Sequence, residues 1–450
     1  MPYRPFDGDY ATIDFLDLLM IDIHGGIRNV SIPSRYVSDK LLAEGVGFDA
    51  SNFGYAKTSD SDMVAIPDMT TAFVQEHDAH TVLHVLCDVE LTEGGRFTQY
   101  PRHVTRRTID VLRREGIADD AQMLVELEFH ILDDVRYGSD YAHSAYHLQS
   151  VEGLGPDFDE RPRFNAQKGY HRVFPEDRYE GIRHEIVTSL GAIGIPVKYH
   201  HHEVGAGQHE IELDLIPLER AADALSLSKW IIRSIVAAHG LFVTFMPKPI
   251  YRAAGNGMHV HQYLEREGRT CFAGDALHGL TDEALAYTAG LLEHSLSGSL
   301  LAFTNPSTNS YRRLVPGFEA PVGATFARAS REASVRIPGY LKPAERRIEY
   351  RTGDASANGY YALSAMVLAG ADGIRRGADP VALGFSDPGN GKVFPLSLDA
   401  VLDGLAADHA YLVPVFPESL IDLWIRLKRQ EAQIVYRAPT PQEYELYFNI

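Results

Sequence analysis

Across 450 residues the chain carries 61 acidic against 42 basic side chains, a formal charge of −19, with no basic block to offset it, which argues against nucleic acid and anionic membranes as partners. Its two cysteines, Cys87 and Cys271, stand far apart without CxxC spacing, so a disulfide framework and a zinc finger are excluded. The start MPYRPFDGDYATIDF has no signal-peptide character and no apolar run reaches membrane-spanning length, so a cytoplasmic globular protein is expected, large enough for one big domain and a smaller one.

In chain order, YATIDFLDLLMIDIHGGIRNVSIP reads as a helix or strand entry followed by a hairpin through Gly25 and Gly26. VGFDASNFGYAKTSDSDMVAIPD reads as an ordered loop, and TVLHVLCDVEL as a buried strand. PRHVTRRTIDVLRREG predicts a helix opened by Pro101 and closed by Gly116, with Val104, Thr108, Val111 and Leu112 at helical spacing. The domain boundary is placed near it. MLVELEFHIL alternates with period two, setting Val125, Leu127, Phe129 and Ile131 opposite Glu126, Glu128 and His130. From Asp133 to about Phe164 the composition is loop-like. PEDRYEGIRHEIVTSLGAIG and LERAADALSLSKWIIRSIVAAHG predict helices that end at glycine. GMHVHQYL predicts a strand with His259, His261 and Tyr263 on one face, and RRIEYR groups Arg347, Glu349 and Arg351. YYALSAMVLAGADGIRRG and SLIDLWIRLKRQEAQIVY predict later helices.

The chemistry concentrates around KYHHHEVGAGQHEIELD, residues 198–214. Strand alternation puts Glu210, Glu212 and Asp214 on one side, with Glu203 before a glycine-bearing turn. Either this is an exposed sheet face of solvated acids, or buried carboxylates hold a hard divalent cation such as Mg²⁺ or Mn²⁺. Four strands carry acids or histidines on one face: Glu126 with Glu128, Glu203 with Glu210, His259 with His261, and Glu349 between two arginines. A curved sheet would converge them into a site for two to three ions. Arg313, Arg331, Arg336, Arg347 and Arg351 supply the fixed cations that phosphoryl transfer needs. No GxxxxGK[ST] occurs, so any ATP is bound by another design.

In order along nearly the whole chain, FDASNFGYAKTSDSDMVAIPD, ELEFHI, KGYHRVFPED, HHEVGAGQHEIE, FMPKPIYRAAGNGMHVH, TNPSTNSYRRLVPGFEAPV, SVRIPGY and RRIEYRTGDASAN resemble the type I glutamine synthetases. The resemblance implies an α+β architecture. An N-terminal β-grasp domain (1–100) precedes a catalytic domain (101–450) whose curved antiparallel sheet forms a funnel-shaped site. It also implies a homo-oligomer, commonly a dodecamer of two hexameric rings, with each site completed by a neighbour's N-terminal domain. Carried across, Glu128, Glu203 and Glu210 correspond to ligands of one metal, and Glu126, His259 and Glu349 to those of a second beside the ATP phosphates. Arg331 and Arg336 correspond to phosphate contacts, Arg347 to a nucleotide contact, and His261 lies near the phosphate. Gly255, Arg313 and Arg351 correspond to glutamate contacts, and Glu319 to the flap residue that closes over the intermediate. Asp49, Tyr170 and Glu203 correspond to the ammonium pocket, with Asp49 as proton acceptor.

The implied reaction phosphorylates glutamate with ATP and then displaces phosphate by ammonia. Departures fall near the substrates: Ala50 and Asn52 in the ammonium loop, Ala254 where many members have asparagine, RASRE at 328–332, and YRTGD after Glu349. Retention of Asp49, Tyr170 and Glu203 favours ammonium, while a γ-glutamylamide synthetase using methylamine, ethanolamine, a polyamine or an aromatic amine stays open. Two further classes, a non-catalytic oligomer and a guanidino kinase, lack support: all metal-ligand positions are kept, and FDASN is present. No tyrosine lies between Tyr361 and Tyr411, which argues against control by adenylylation.

Overall fold

Two sheets organise the chain in the computed structural model, which describes residues 2–56, 59–153, 167–386 and 391–450. The first has seven strands. Phe15–Ile21 and Ile27–Pro33 form the expected hairpin, and Phe15–Ile21 also runs parallel to Thr81–Leu91. Leu16, Leu18, Met20, Leu83 and Val85 are buried on one face of this sheet, and Leu19 and Leu86 on the other.

The second sheet has ten strands, and its main path positions the site. It runs Val197–His202, Gln208–Leu213, Asp120–Leu132, Met258–Arg266, Ile348–Tyr350, Val335–Ile337 and Phe326–Arg328. All neighbours on this path are antiparallel except the last pair, which is parallel. The helix Leu218–Ala238 packs on Asp120–Leu132, and Gly359–Arg376 packs on Leu218–Ala238, Pro101–Arg114 and Asp282–Ser297. Leu127, Phe129 and Ile131 on the strand and Ile231, Ile232, Ile235 and Val236 on the helix are essentially fully buried. Each such side chain contributes roughly 1.5–3 kcal/mol, so the apolar back of the sheet is firmly anchored and its polar front is free to specialise.

A buried cation ties the first sheet to the helices that pack behind the second. Arg102, on the predicted helix Pro101–Arg114, is 1 % exposed and donates to Asp68 (2.8 Å), Asp88 (2.8 Å) and Asp223 (2.9 and 3.0 Å). Asp223 also accepts from Tyr360 Oη at 2.7 Å. Three carboxylates around one fully buried guanidinium supply the pairing that such burial requires.

The structure corrects two expectations. The segment expected as a loop before Asp68 contains the strands Val46–Asp49 and Asp62–Pro67, paired antiparallel. Met63 and Ala65 alternate into the core, a short signal masked by surrounding Asp and Ser. The loop expected from Asp133 contains a hairpin, Asp134–Ser139 with Ser144–Gln149. Its strands are largely exposed, so backbone pairing leaves no apolar period to detect. The later part of that loop, from residue 154 to Phe164, lies outside the described residues. The helices Asp282–Ser297 and Leu398–Ala407 were not anticipated.

Candidate active site

Strand register assembles the site. His201 is opposite Glu210, and Glu210 is opposite Glu128. Glu126 lies between Glu212 and His259. His261 faces Glu349, which faces Arg336. Directly opposed residues on one face hold their Cβ atoms roughly 4.5–5.5 Å apart, and like charges so placed repel. Glu128, Glu203, Glu210 and Glu349 are all at most 9 % exposed. The alternative of an exposed face of solvated acids is therefore overturned for Glu203, Glu210 and Glu212, whereas Asp214, past the end of the strand, is exposed. Within this group Glu212 has its own partner, accepting from Lys198 Nζ at 2.5 Å.

These side chains open onto a cavity of about 480 Å³. Of the predicted residues, Glu126, Glu128, Tyr170, Glu203, Glu210, Gly255, His259, Arg313, Glu319, Arg331, Arg336, Glu349 and Arg351 line it. His261 and Arg347 sit behind the lining. His261 Nε2 is 2.8 Å from Glu126 Oε1, and Arg347 Nε donates to His261 Nδ1 at 3.3 Å. Because Arg347 only donates, Nδ1 is the acceptor and Nε2 carries the proton given to Glu126. Asp49 does not line the cavity. It is exposed on the first sheet and accepts from Ser51 N at 2.8 Å, and that backbone bond draws its carboxyl below the usual carboxylate range.

The carboxylates divide into two groups by their partners. Burial would raise Glu126, but His261 and His259 outweigh it and hold the group well below the usual range. Glu349 is likewise lowered against the effect of burial, by His261 and Arg351. It is gripped by Arg336 at 2.6 Å and Arg351 at 2.5 Å. On the other side, burial and then Glu128 push Glu203 up to about 8. Burial, Glu126 and Glu203 push Glu210 well above its ordinary value. Burial and mutual proximity thus favour the protonated form of Glu203 and Glu210, as they do for any pair of buried neighbouring carboxylates.

The donor sets suit hard divalent ions. One atom each from His201, Glu203 and Glu210 falls within a mutual 4.8 Å, and so does one each from Glu126, His261 and Glu349. His259 Nδ1 lies 2.9 Å from Glu126 and 3.9 Å from Glu128; Glu128 also accepts from Gly257 N at 2.9 Å. A third set, Asp177, His202 and His209, is engaged by Arg183, which donates to Asp177 at 2.6 and 3.0 Å and sits 2.9 Å from His209 Nδ1. A guanidinium there takes the place of a metal.

The cavity wall also holds groups that sequence reasoning missed. His201 packs edge-on to Tyr170 (centroids 5.2 Å) and His171 (4.6 Å), and Tyr170 stacks on His171 at 4.1 Å. Burial and then His171 lower His201 to about 4. Its signal was available, since alternation along YHHHE puts the middle histidine on the face of Glu203. Lys248, in FMPKP, does not itself line the cavity but sits over the ring of the lining residue Phe318 at 3.7 Å; nothing in its spacing marked it. Glu319 has a left-handed backbone, φ 57°, and its carbonyl accepts from Arg351 at 3.5 Å. Arg313 is anchored on the carbonyls of Thr352 (2.9 Å) and Gly353 (3.2 Å) and reaches His259 Nε2 at 3.3 Å.

Comparison with known proteins agrees with this geometry. Residues 98–447 match the family model "Glutamine synthetase, catalytic domain" and residues 12–91 match "Glutamine synthetase, beta-Grasp domain". A glutamine synthetase from Azorhizobium caulinodans is 38 % identical over 97 % of each chain, and one from Escherichia coli K12 is 36 % identical over the same share. Among solved structures, the glutamine synthetase of Plasmodium falciparum superposes with a TM-score of 0.91 at 26 % identity, over 99 % of this chain and 100 % of that one. A structure described as "Apo GmaS without ligand" superposes with a TM-score of 0.80 at 26 % identity, over 97 % of each.

Proposed function

The chain belongs to the glutamine synthetase family and is a ligase, and from that premise we propose that it joins ammonia to the side-chain carboxylate of L-glutamate. ATP is converted to ADP and phosphate by way of γ-glutamyl phosphate. The observation that carries this reading is the convergence of six carboxylates, His201, His259 and the four arginines Arg313, Arg331, Arg336 and Arg351 on one cavity.

Glu128, Glu203 and Glu210 would hold one divalent ion and Glu126, His259 and Glu349 a second, with His201 beside the first group and His261 beside the second. Bound Mg²⁺ or Mn²⁺ would neutralise charge on the phosphate oxygens. Arg331 and Arg336 fix the transferring phosphoryl group and Arg347 the nucleotide side. Arg336 is already oriented by Glu349, so little reorganisation is needed as charge develops. Arg313, Arg351 and the Gly255 backbone hold glutamate with its side-chain carboxylate towards the ATP phosphates. That carboxylate oxygen forms the bond to phosphorus as the ADP oxygen leaves. The product is an acyl phosphate whose leaving group is now phosphate.

In the second step ammonium sits among Asp49, Tyr170 and Glu203. Asp49 takes its proton, the nitrogen attacks the acyl carbon, and phosphate departs. Glu319 on the flap keeps water from competing. The exposure of Asp49 outside the cavity fits a homo-oligomer in which Asp49 of one subunit serves its neighbour's cavity; a dodecamer of two hexameric rings is what the family resemblance implies.

The test is phosphate release from ATP with Mg²⁺ and glutamate across ammonium, methylamine, ethanolamine, putrescine and aniline. Release with ammonium alone is expected, and Asp49→Ala should abolish amide formation while sparing glutamate and ATP binding. Release only with a larger amine would replace this reading with a γ-glutamylamide synthetase. That alternative is favoured by Asn52, Ala254 and the aromatic wall of Tyr170, His171 and His201. Silence with every amine would overturn both.

A further inference from the structure

Behind the cavity lies a buried, hydrogen-bonded Glu–His pair that the proposed reaction does not use. Glu152 and His202 each have fully buried side chains, and Glu152 Oε2 is 2.8 Å from His202 Nε2. Glu152 also accepts from Gly207 N at 2.6 Å and Arg178 N at 2.7 Å. The other ring nitrogen of His202, Nδ1, lies 2.6 Å from the carbonyl oxygen of Glu203. Both ring nitrogens thus face oxygen atoms, so the imidazole is held at both ends, to the Glu152 side chain on one side and to the Glu203 backbone on the other.

The surroundings are tied to the same point. Gly169 N donates to Val204 O at 3.0 Å and His171 N to His202 O at 3.0 Å, which pins the segment bearing Tyr170 to the backbone around Glu203. A side chain at Gly169 would put its Cβ 2.6 Å from Glu203 O and from His202 Cε1, so only glycine permits this approach. Gly207 has φ 68°, and a Cβ there would meet Ile131 O at 2.4 Å. The turn between the two acidic strands is therefore fixed from below by Glu152, while Glu203 turns its carboxylate into the cavity.

We infer that Glu152 and His202 are positioning residues. The pair sets the backbone of Glu203, and through it the Tyr170 segment, in the geometry that cation and amine binding require. The inference rests on Glu203 being a metal ligand, as proposed above. Groups that orient a ligand from behind typically change metal affinity by roughly 10–100-fold when removed.

Mn²⁺ binding to the full-length protein, followed by electron paramagnetic resonance of the free ion, tests this without any turnover. Glu203→Gln is the reference: if it leaves Mn²⁺ binding unchanged, the ligand assignment fails and the inference falls with it. If Glu203→Gln weakens binding, Glu152→Gln is expected to weaken the same site roughly 10–100-fold. His202→Gln and His202→Asn separate positioning from bulk stability. Asn can keep the bond to the Glu203 carbonyl and should retain most of the Mn²⁺ affinity, whereas Gln can keep only the bond to Glu152 and should lose it. A purely structural role would lower the unfolding temperature of both His202 variants equally and leave their Mn²⁺ affinities alike. That result overturns the inference even if Glu152→Gln proves unfoldable.

Discussion

Protons held by the acidic cluster make a quantitative demand on cation binding. Glu203 is raised to about 8 from an ordinary 4.5, so at pH 7 its metal-free carboxyl carries about 0.9 of a proton. Burial is the larger cause of that shift and the neighbouring Glu128 carboxylate adds to it; one such neighbour at about 5 Å costs on the order of 3–4 kcal/mol at an effective dielectric near 20, so it does not alone account for a shift worth on the order of 5 kcal/mol. A divalent ion needs the carboxylate, so its binding at pH 7 must expel close to one proton from Glu203, with Glu210 adding to this. Titration calorimetry of Mn²⁺ into chelator-treated protein, repeated in buffers of different ionisation enthalpy, counts those protons. Glu203→Gln should lower the count by about one.

The same shift fixes a stability trend. The folded-state value lies above the unfolded one, so its contribution, on the order of 5 kcal/mol, is complete below about 4.5 and is lost as pH rises through about 8. Metal-free protein should therefore lose stability across that window relative to Glu203→Gln. A cation release of zero protons at pH 7, with binding intact, would refute the reasoning.

Other expectations follow from single contacts. Arg102→Ala strips the counter-charge from Asp68, Asp88 and Asp223 and should cost about 3–5 kcal/mol in denaturant unfolding; a loss below about 1 kcal/mol would show the network to be incidental. His294 is clamped by Asp372 at 3.0 Å and Asp408 at 2.8 Å, and although burial opposes it, those carboxylates raise it above its ordinary 6.5. Its contribution is complete below 6.5 and lost as pH rises through the raised value, so the stability gap between wild type and His294→Gln should be wider at pH 5.5 than at pH 9; a gap of equal size at both is the contrary result. Glu319→Ala should let water reach the acyl phosphate, seen as phosphate release exceeding amide formed; strict coupling in the variant would remove Glu319 from that role.

How far the site could be read from the chain depended on where its information is stored. Alternation within MLVELEFHIL, QHEIEL and GMHVHQYL placed Glu126, Glu128, Glu210, His259 and His261 on their strand faces, because side-chain direction in a strand is a local, period-two property. Their mutual arrangement is not local. Glu210 meets Glu128, and His261 meets Glu349, only through inter-strand register, which no segment specifies alone. The missed elements follow the same division. The Asp134–Ser139 hairpin is held by backbone pairing on an exposed ribbon, so its side chains carry no record of it. Glu152 looks like an ordinary turn acid in SVEGLG until the turn after Glu203 folds back on it and Gly207 N reaches its carboxylate. Such a residue is defined by partners 26 to 55 positions away, and its chemistry exists only in the folded chain. Strand faces thus announce which groups can act, while burial and long-range hydrogen bonds decide which of them are held in place to do so.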